Sequence, residues 1–193
     1  MEHITDEMVV LLDESATVIG SADKRLIHHT STPLHLAFSC YLFDEARNVL
    51  VTRRALSKAT WPGTWTNSFC GHPAPGEPIE DAVRRRGRQE LGVDIQDLRL
   101  VDPHFRYRAT DSGGIVEYEV CPVYQATASG VVSPNPDEVM DWVWTDPTAL
   151  TLATTLAPFG FSPWMVLQLG SPGWAASREA ADATLDSSGS YGR

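Results

Sequence analysis

Residues 71–93, GHPAPGEPIEDAVRRRGRQELGV, hold the strongest architectural clue in this 193-residue chain. Gly71 is followed after five residues by Glu77, and after seven more by Arg85. The stretch closes on Glu90-Leu91-Gly92-Val93. Glu77-Pro78 opens a helical pattern, because a first-turn residue needs no N–H partner and proline fits there. Ile79, Ala82, Val83 and Leu91 supply the apolar positions, and Gly92 ends the helix. The unit is loop, helix, loop. It is either an ordinary amphipathic helix with a solvated basic face or a frame built around a site, and the spacing at both of its ends favours the site.

Outward from this unit the pattern is mostly β. Met8 to Leu12 reads as a short strand. HLAFSCYLF (35–43) is a continuous apolar run that suits a buried strand, and VLVTRR (49–54) is its hairpin partner across the polar turn 44–48. WPGTWTNSFCGHPAPGEP (61–78) is crowded with turn formers and reads as loop with a short extended piece near Cys70. Two β-rich runs follow, Leu98 to Ala109 and Ile115 to Ala126, then a β-prone piece from Val139 to Trp144. Asp146-Pro147 starts one short helix, and Phe161 to Leu169 forms another. Strands with a few helices predict an α+β domain, an α/β/α sandwich with a mixed central sheet and short flanking helices. Residues 1–170 form one domain in this reading. The Ser-, Ala- and Gly-rich remainder, 171–193, is expected to be a weakly ordered tail with little to bury beyond Trp174.

Composition excludes several classes. Hydrophobic residues make up 42% and charged residues 21%, which is ordinary globular usage and not that of a disordered chain. No stretch approaches the roughly 20 apolar residues of a membrane span. The start, MEHITDEMVVLLDE, lacks the basic-then-apolar order of a signal peptide. Cys40, Cys70 and Cys121 form no CxxC pair, in keeping with a reducing compartment, so a cytoplasmic location is the default. The net charge of −10 argues against nucleic acid as a partner. That charge is uneven: residues 24–108 carry thirteen Lys and Arg against nine acids, which suits a small anionic ligand at a local basic site.

Glu117 and Glu119 are two apart in a β-prone run, so both carboxylates share one face of a strand. A wet face would explain the pair alone. His28, His35 and His72 make it more interesting, because with the carboxylates they form a nitrogen-and-oxygen set of five suited to a six-coordinate divalent ion. His29 leaves open which of the two adjacent imidazoles points inward. Cys70, in Asn67-Ser68-Phe69-Cys70-Gly71-His72, is a candidate catalyst only if partly exposed near positive charge. Cys40 and Cys121 keep the reading of small buried hydrophobes. Lys24, Arg54, Lys58 and Arg86 could converge on a diphosphate, though each alone suits a solvated surface.

The 71–93 stretch resembles the Nudix box in frame. Where that family has Arg-Glu-apolar-x-Glu-Glu, this chain has Arg85-Arg86-Gly87-Arg88-Gln89-Glu90, keeping one of three acids. The match implies the Nudix fold without Nudix hydrolysis. The runs HLAFSCYLF, LVTRRALSK, WPGTWTNSFCGHP, FRYRATDSGGIVEYEVCPV, DEVMDWVW and FSPWM resemble the type I isopentenyl-diphosphate isomerase family of the Nudix superfamily, from about Met8 to Gln168. The resemblance implies a cytoplasmic, monomeric enzyme acting on a small isoprenoid diphosphate, with no nucleic-acid or membrane partner. His28, His35, His72, Glu117 and Glu119 match the family's metal ligands, for Mn2+, Zn2+ or Mg2+. Glu90 and the Cys70 carbonyl match a Mg2+ site for the diphosphate, and Lys24, Arg54, Lys58 and Arg86 match its cations. Cys70 and Glu119 match the opposed acid and base, with Tyr107 assisting Glu119 and Trp164 packed over the hydrocarbon; Trp61 joins Trp164 in excluding water. A Nudix hydrolase of a nucleoside diphosphate derivative and an inactive diphosphate sensor are the competing readings.

Overall fold

The computed structural model describes residues 7–178. Its strands are β1 (Met8–Leu12), β2 (Val18–Asp23), β3 (His35–Leu36), β4 (Phe38–Phe43), β5 (Val49–Arg54), β6 (Trp65–Thr66), β7 (Phe69–Gly71), β8 (Asp94–Asp102), β9 (Arg106–Thr110), β10 (Val116–Val120), β11 (Val123–Ser129) and β12 (Val139–Thr145). The helices are α1 (Lys24–Ile27), α2 (Ile79–Leu91), α3 (Pro147–Leu156) and α4 (Pro163–Leu169). Two mixed sheets result. One runs β2-β1-β3-β10-β9; the other runs β12-β5-β4-β11-β8, with β6 and β7 paired to β5 and β4.

Period-two alternation on β4 and β5 builds the layers. Phe38, Cys40, Leu42 and Leu50 face one way and pack with Phe69 and with Ala82, Val83 and Leu91 of α2. Tyr41, Val49 and Val51 face the other way and pack with Leu150 of α3 and Trp164, Met165 and Leu169 of α4. The α/β/α sandwich expected from the sequence is thus present, and helix α2 lies within one residue of its expected start and end. Gly92 closes α2 in the left-handed region at φ 63°, its N–H returning to Arg88 and Gly87 carbonyls, a conformation that favours glycine.

Three apolar runs that read as single strands are each divided. HLAFSCYLF passes from one sheet to the other at Ala37, so His35 pairs in parallel with Glu119 while Ser39 pairs in parallel with Val123. The 115–126 run divides at Cys121-Pro122, where proline has no N–H for the ladder. The two crossings travel together through Ala37 N–Val120 O and Ser39 N–Pro122 O bonds of 2.9 and 3.0 Å. The 98–109 run turns at 103–105. Strand β2 and helix α1, absent from the sequence reading, lie at one edge, where β2 is largely exposed.

The tail expected from residue 171 is packed at its start. Residues 172–178 are helical, and Trp174 is buried with its ring 4.7 Å from that of Tyr41. The ordered packing therefore extends past Gly170, because Trp174 covers apolar surface left open beside α4. Residues 179–193 of that expected tail lie outside the described residues. No helix among the described residues is long and apolar enough to cross a membrane.

Candidate active site

Strand crossing is what assembles the site. His35 and Glu119 are register partners, as are Glu119 and Tyr107. Three neighbouring strands therefore present an imidazole, a carboxylate and a phenol side by side. His28 follows α1, and His72 follows β7. The three imidazole rings lie 5.1–5.8 Å apart by centroid. Ligand-capable atoms of His28, His35, His72 and Glu119 all fall within 4.8 Å of one another.

His35, Glu117 and Glu119 are buried and His28 and His72 half-buried, and their mutual contacts do not satisfy them. His35 Nε2 is 3.4 Å and His72 Nε2 3.2 Å from Glu119 Oε1, while His28 Nε2 is 3.2 Å from Glu117 Oε2. Yet His28 Nε2, His35 Nε2, His72 Nδ1 and Glu117 Oε2 have no hydrogen-bond partner. Buried polar atoms left in this way are costly. His35 Nδ1 is 3.0 Å from the Pro33 carbonyl, which fixes the proton there and leaves Nε2 as a lone pair facing the cluster. The donor set of imidazoles and carboxylates fits a divalent cation. His29 is exposed, and its Nδ1 accepts from Ser31 N at 3.0 Å; it is His28 that enters the cluster. Thr60, which carried no signal in the sequence, donates to Glu117 Oε1 at 2.8 Å and fixes that carboxylate.

The electrostatics of the site follow from burial and from the close approach of these groups. Burial pushes His72 down to about 3, so it is neutral near pH 7. Burial alone would raise the Glu119 carboxyl, but the His35 and His72 imidazoles beside it override that and hold it well below the usual carboxylate range. Burial pushes the Cys70 thiol up to about 12, despite the bond from Ser39. Burial, with Glu119 beside it, also keeps the Tyr107 phenol protonated.

A cavity of about 420 Å³ opens beside the cluster. Its wall contains Cys70, Glu119, Tyr107, Trp164, Glu90, Glu117, His28 and His72, together with the four candidate cations Lys24, Arg54, Lys58 and Arg86 and a fifth, Arg25. His35 lies behind that wall, fully buried. The candidate metal ligands, acid–base groups and cations named from the sequence thus lie at or behind one surface, and Trp61 adjoins it through Trp164. Arg54 stands 5.6 Å over the Trp164 ring. Trp61 meets that ring edge-on at 5.3 Å, and Tyr107 lies 5.8 Å away. The other candidate cations are paired with acids: Lys24 with Glu7 at 2.5 Å, Lys58 with Glu138, and Arg86 with Glu90 and Glu138. Glu7 and Glu138 were not legible as site residues, because an acid opposing a basic cluster has no local motif.

Below Cys70 the polar contacts continue inward. Asn67, fully buried, donates through Nδ2 to the Phe69 and Cys40 carbonyls at 2.7 and 3.2 Å. Its Oδ1 accepts from Trp164 Nε1 and Thr66 Oγ1, both at 2.9 Å, and from Cys70 Sγ at 3.2 Å. One carboxamide thereby ties the thiol to the indole. In sequence Asn67 sits three residues before Cys70, inside the stretch that carries the thiol.

The NUDIX domain pattern matches residues 33–165. Among solved structures, a protein from Deinococcus radiodurans superposes with a TM-score of 0.60 at 20% identity, covering 78% of this chain and 90% of that one. The MutT protein from Methanosarcina mazei gives 0.56 at 15% identity, over 71% and 91%; both likenesses concern the fold. Isopentenyl-diphosphate Delta-isomerase of Agromyces mediolanus is 59% identical over 162 residues, spanning 84% of this chain and 79% of the relative. The Paenarthrobacter aurescens protein of the same name is 60% identical over 84% and 88%, and the Salmonella agona one 52% identical over 95% and 98%. The chain belongs to the Nudix family and, within it, to the isopentenyl-diphosphate Delta-isomerases.

Proposed function

We propose that this chain interconverts isopentenyl diphosphate and dimethylallyl diphosphate by protonation and deprotonation through a tertiary carbocation, in isoprenoid precursor synthesis. One observation carries the reading. The Cys70 thiol and the Glu119 carboxylate line one cavity together with Lys24, Arg54, Lys58 and Arg86 and the rings of Tyr107 and Trp164. That lining matches a substrate with a diphosphate head and a short hydrocarbon.

Moving an unactivated double bond along by one position requires a proton to be delivered to its terminal carbon and another to be taken from the carbon on the far side of the cationic centre. Cys70 and Glu119 serve as that acid–base pair. Tyr107, opposite Glu119 across the β-ladder, assists the carboxyl with its protonated phenol. The intermediate has no heteroatom to share its charge, so the Trp164 face stabilises it, by ~2 kcal/mol when desolvated. Trp61 and Trp164 exclude the water that would trap the cation as an alcohol. Lys24, Arg54, Lys58 and Arg86 bind the diphosphate oxygens and fix the hydrocarbon against the acid–base pair.

Two divalent ions complete the reading: Mn2+, Zn2+ or Mg2+ on His28, His35, His72, Glu117 and Glu119, and Mg2+ on Glu90 and the Cys70 carbonyl. Bound there, they would supply positive charge that tunes the Glu119 carboxyl and screens the diphosphate. The orphaned buried nitrogens of the cluster support the first of these. The enzyme acts as a monomer in the cytoplasm on a small molecule, without nucleic acid or membrane. A nucleotide hydrolase would need several acids on α2; there Arg86 holds Glu90 and Gln89 stands where a further acid is expected.

Incubation with isopentenyl diphosphate, Mg2+ and Mn2+ or Zn2+ should yield dimethylallyl diphosphate by proton NMR. Release of phosphate without isomerisation would overturn the reading. Full activity in Cys70→Ala or Glu119→Gln would overturn the assigned roles.

A further inference from the structure

We propose that Ser39 and Gln168 are positioning residues for Cys70, forming with Tyr41 a buried chain that aims one hydroxyl donor at the thiol sulfur. The proposal rests on the reading of Cys70 as a proton-transfer group. Tyr41, Ser39 and Gln168 are 0–1% exposed, so their hydrogens have no recourse to bulk water. Tyr41 O–H donates to Gln168 Oε1 at 2.9 Å, and Gln168 Nε2 donates to Ser39 Oγ at 2.8 Å. Ser39 Oγ is in turn 3.3 Å from Cys70 Sγ and 3.4 Å from Cys121 Sγ.

The directions follow from the need to satisfy every buried donor. Reversing the Gln168 amide would leave the Tyr41 hydroxyl hydrogen without an acceptor among the described residues. With the amide as placed, the Ser39 oxygen accepts from Gln168, and its single hydrogen faces the Cys70 and Cys121 sulfurs at 3.3 and 3.4 Å. Of the two, Cys70 can only accept from Ser39, because its own hydrogen turns elsewhere. The Cys70 S–H is committed to Asn67 Oδ1, since the Asn67 Nδ2 hydrogens already face two carbonyls. The thiol is thus held from two sides, with one hydroxyl donating to it and one amide oxygen accepting from it. A side chain held in this way keeps one rotamer at the cavity wall, which is what proton transfer to a weakly basic carbon demands.

Neither Ser39 nor Gln168 lines the cavity, so their loss should spare substrate affinity. The test is steady-state turnover of isopentenyl diphosphate, followed by NMR with Mg2+ and Mn2+ present, alongside circular dichroism. Ser39→Ala should lower kcat about tenfold, as expected for one oriented hydrogen bond, with KM within about twofold. Ser39→Thr, which restores the hydroxyl, should return kcat to within roughly threefold of the parent. Gln168→Met, close in volume but without the amide, should lower kcat several-fold and decides the matter should Ser39→Ala not fold. Unchanged kcat in the folded variants, a change confined to KM, or a Thr variant as slow as the Ala variant would overturn the proposal. A parent protein that fails to isomerise would instead overturn the functional reading and take this inference with it.

Discussion

Asn67 offers a sharp test of how the site is held together, through Asn67→Ala. The carboxamide makes five contacts from a fully buried position: two donated to the Phe69 and Cys40 carbonyls, three accepted from Trp164, Thr66 and Cys70. Thr66 keeps a partner in Ser162 Oγ at 2.8 Å. Trp164 Nε1 does not, and an orphaned buried donor costs ~1–3 kcal/mol. The two bonds to carbonyls add about 1 kcal/mol each. The total is about 3–5 kcal/mol, against a whole-domain stability of ~5–15 kcal/mol. For a domain of this size that lowers Tm by roughly 6–20 °C, at about 2–4 °C per kcal/mol. Differential scanning calorimetry or urea titration would measure it. The same substitution uncouples the thiol from the indole, so kcat should fall along with stability. A stability loss under about 1 kcal/mol with kcat retained would refute the idea that this amide joins core and site.

Other consequences are equally direct. Chelation should lower Tm at pH 7 and restored Mn2+ or Zn2+ should raise it, the ion adding ~2.7 kcal/mol of stability at a hundredfold excess over Kd; His35→Ala should abolish that response, and an unchanged Tm on chelation would count against a resident cation. Gly92→Ala should cost roughly 2 kcal/mol or more, because its φ of 63° is left-handed and a Cβ there would sit 2.7 Å from the Ser133 carbonyl oxygen; urea midpoints would show it, with the turnover of folded molecules unchanged. The Arg85 guanidinium holds Glu77 below its ordinary value, so that pair stabilises the fold above the unfolded carboxylate pKa and loses its effect as pH falls through the lower folded one. The stability gap between the parent and Glu77→Gln, measured by urea titration from pH 7 to 2, should therefore close in acid; a gap independent of pH would contradict it.

Local chemistry accounts for what could be read without coordinates. Helix α2 was legible because a first-turn proline, a spaced apolar face and a terminal glycine each act within a few residues. The turn at 44–48 and the Asp146 cap on Ala149 N are local in the same sense. Residues such as His28 and His72 were legible by kind, and resemblance supplied the set. Long-range geometry hid the remainder. HLAFSCYLF shows nothing at Ala37 to announce a change of sheet, and β2 has too little burial to leave a periodic signature. The Tyr41–Gln168 bond joins residues 127 apart, and Ser39–Gln168 joins residues 129 apart.

The sequence by itself determined most of the element types, the uneven charge and the inventory of imidazoles, carboxylates, thiol and cations. Each of these depends on side-chain chemistry or on contacts a turn or a strand away. Only the tertiary structure decided that His28 rather than His29 enters the cluster, that Trp174 packs beyond Gly170, and that Asn67 and Ser39 hold the Cys70 thiol. Those outcomes depend on which strands cross between sheets and which buried hydrogens must find acceptors, and both are properties of the assembled chain.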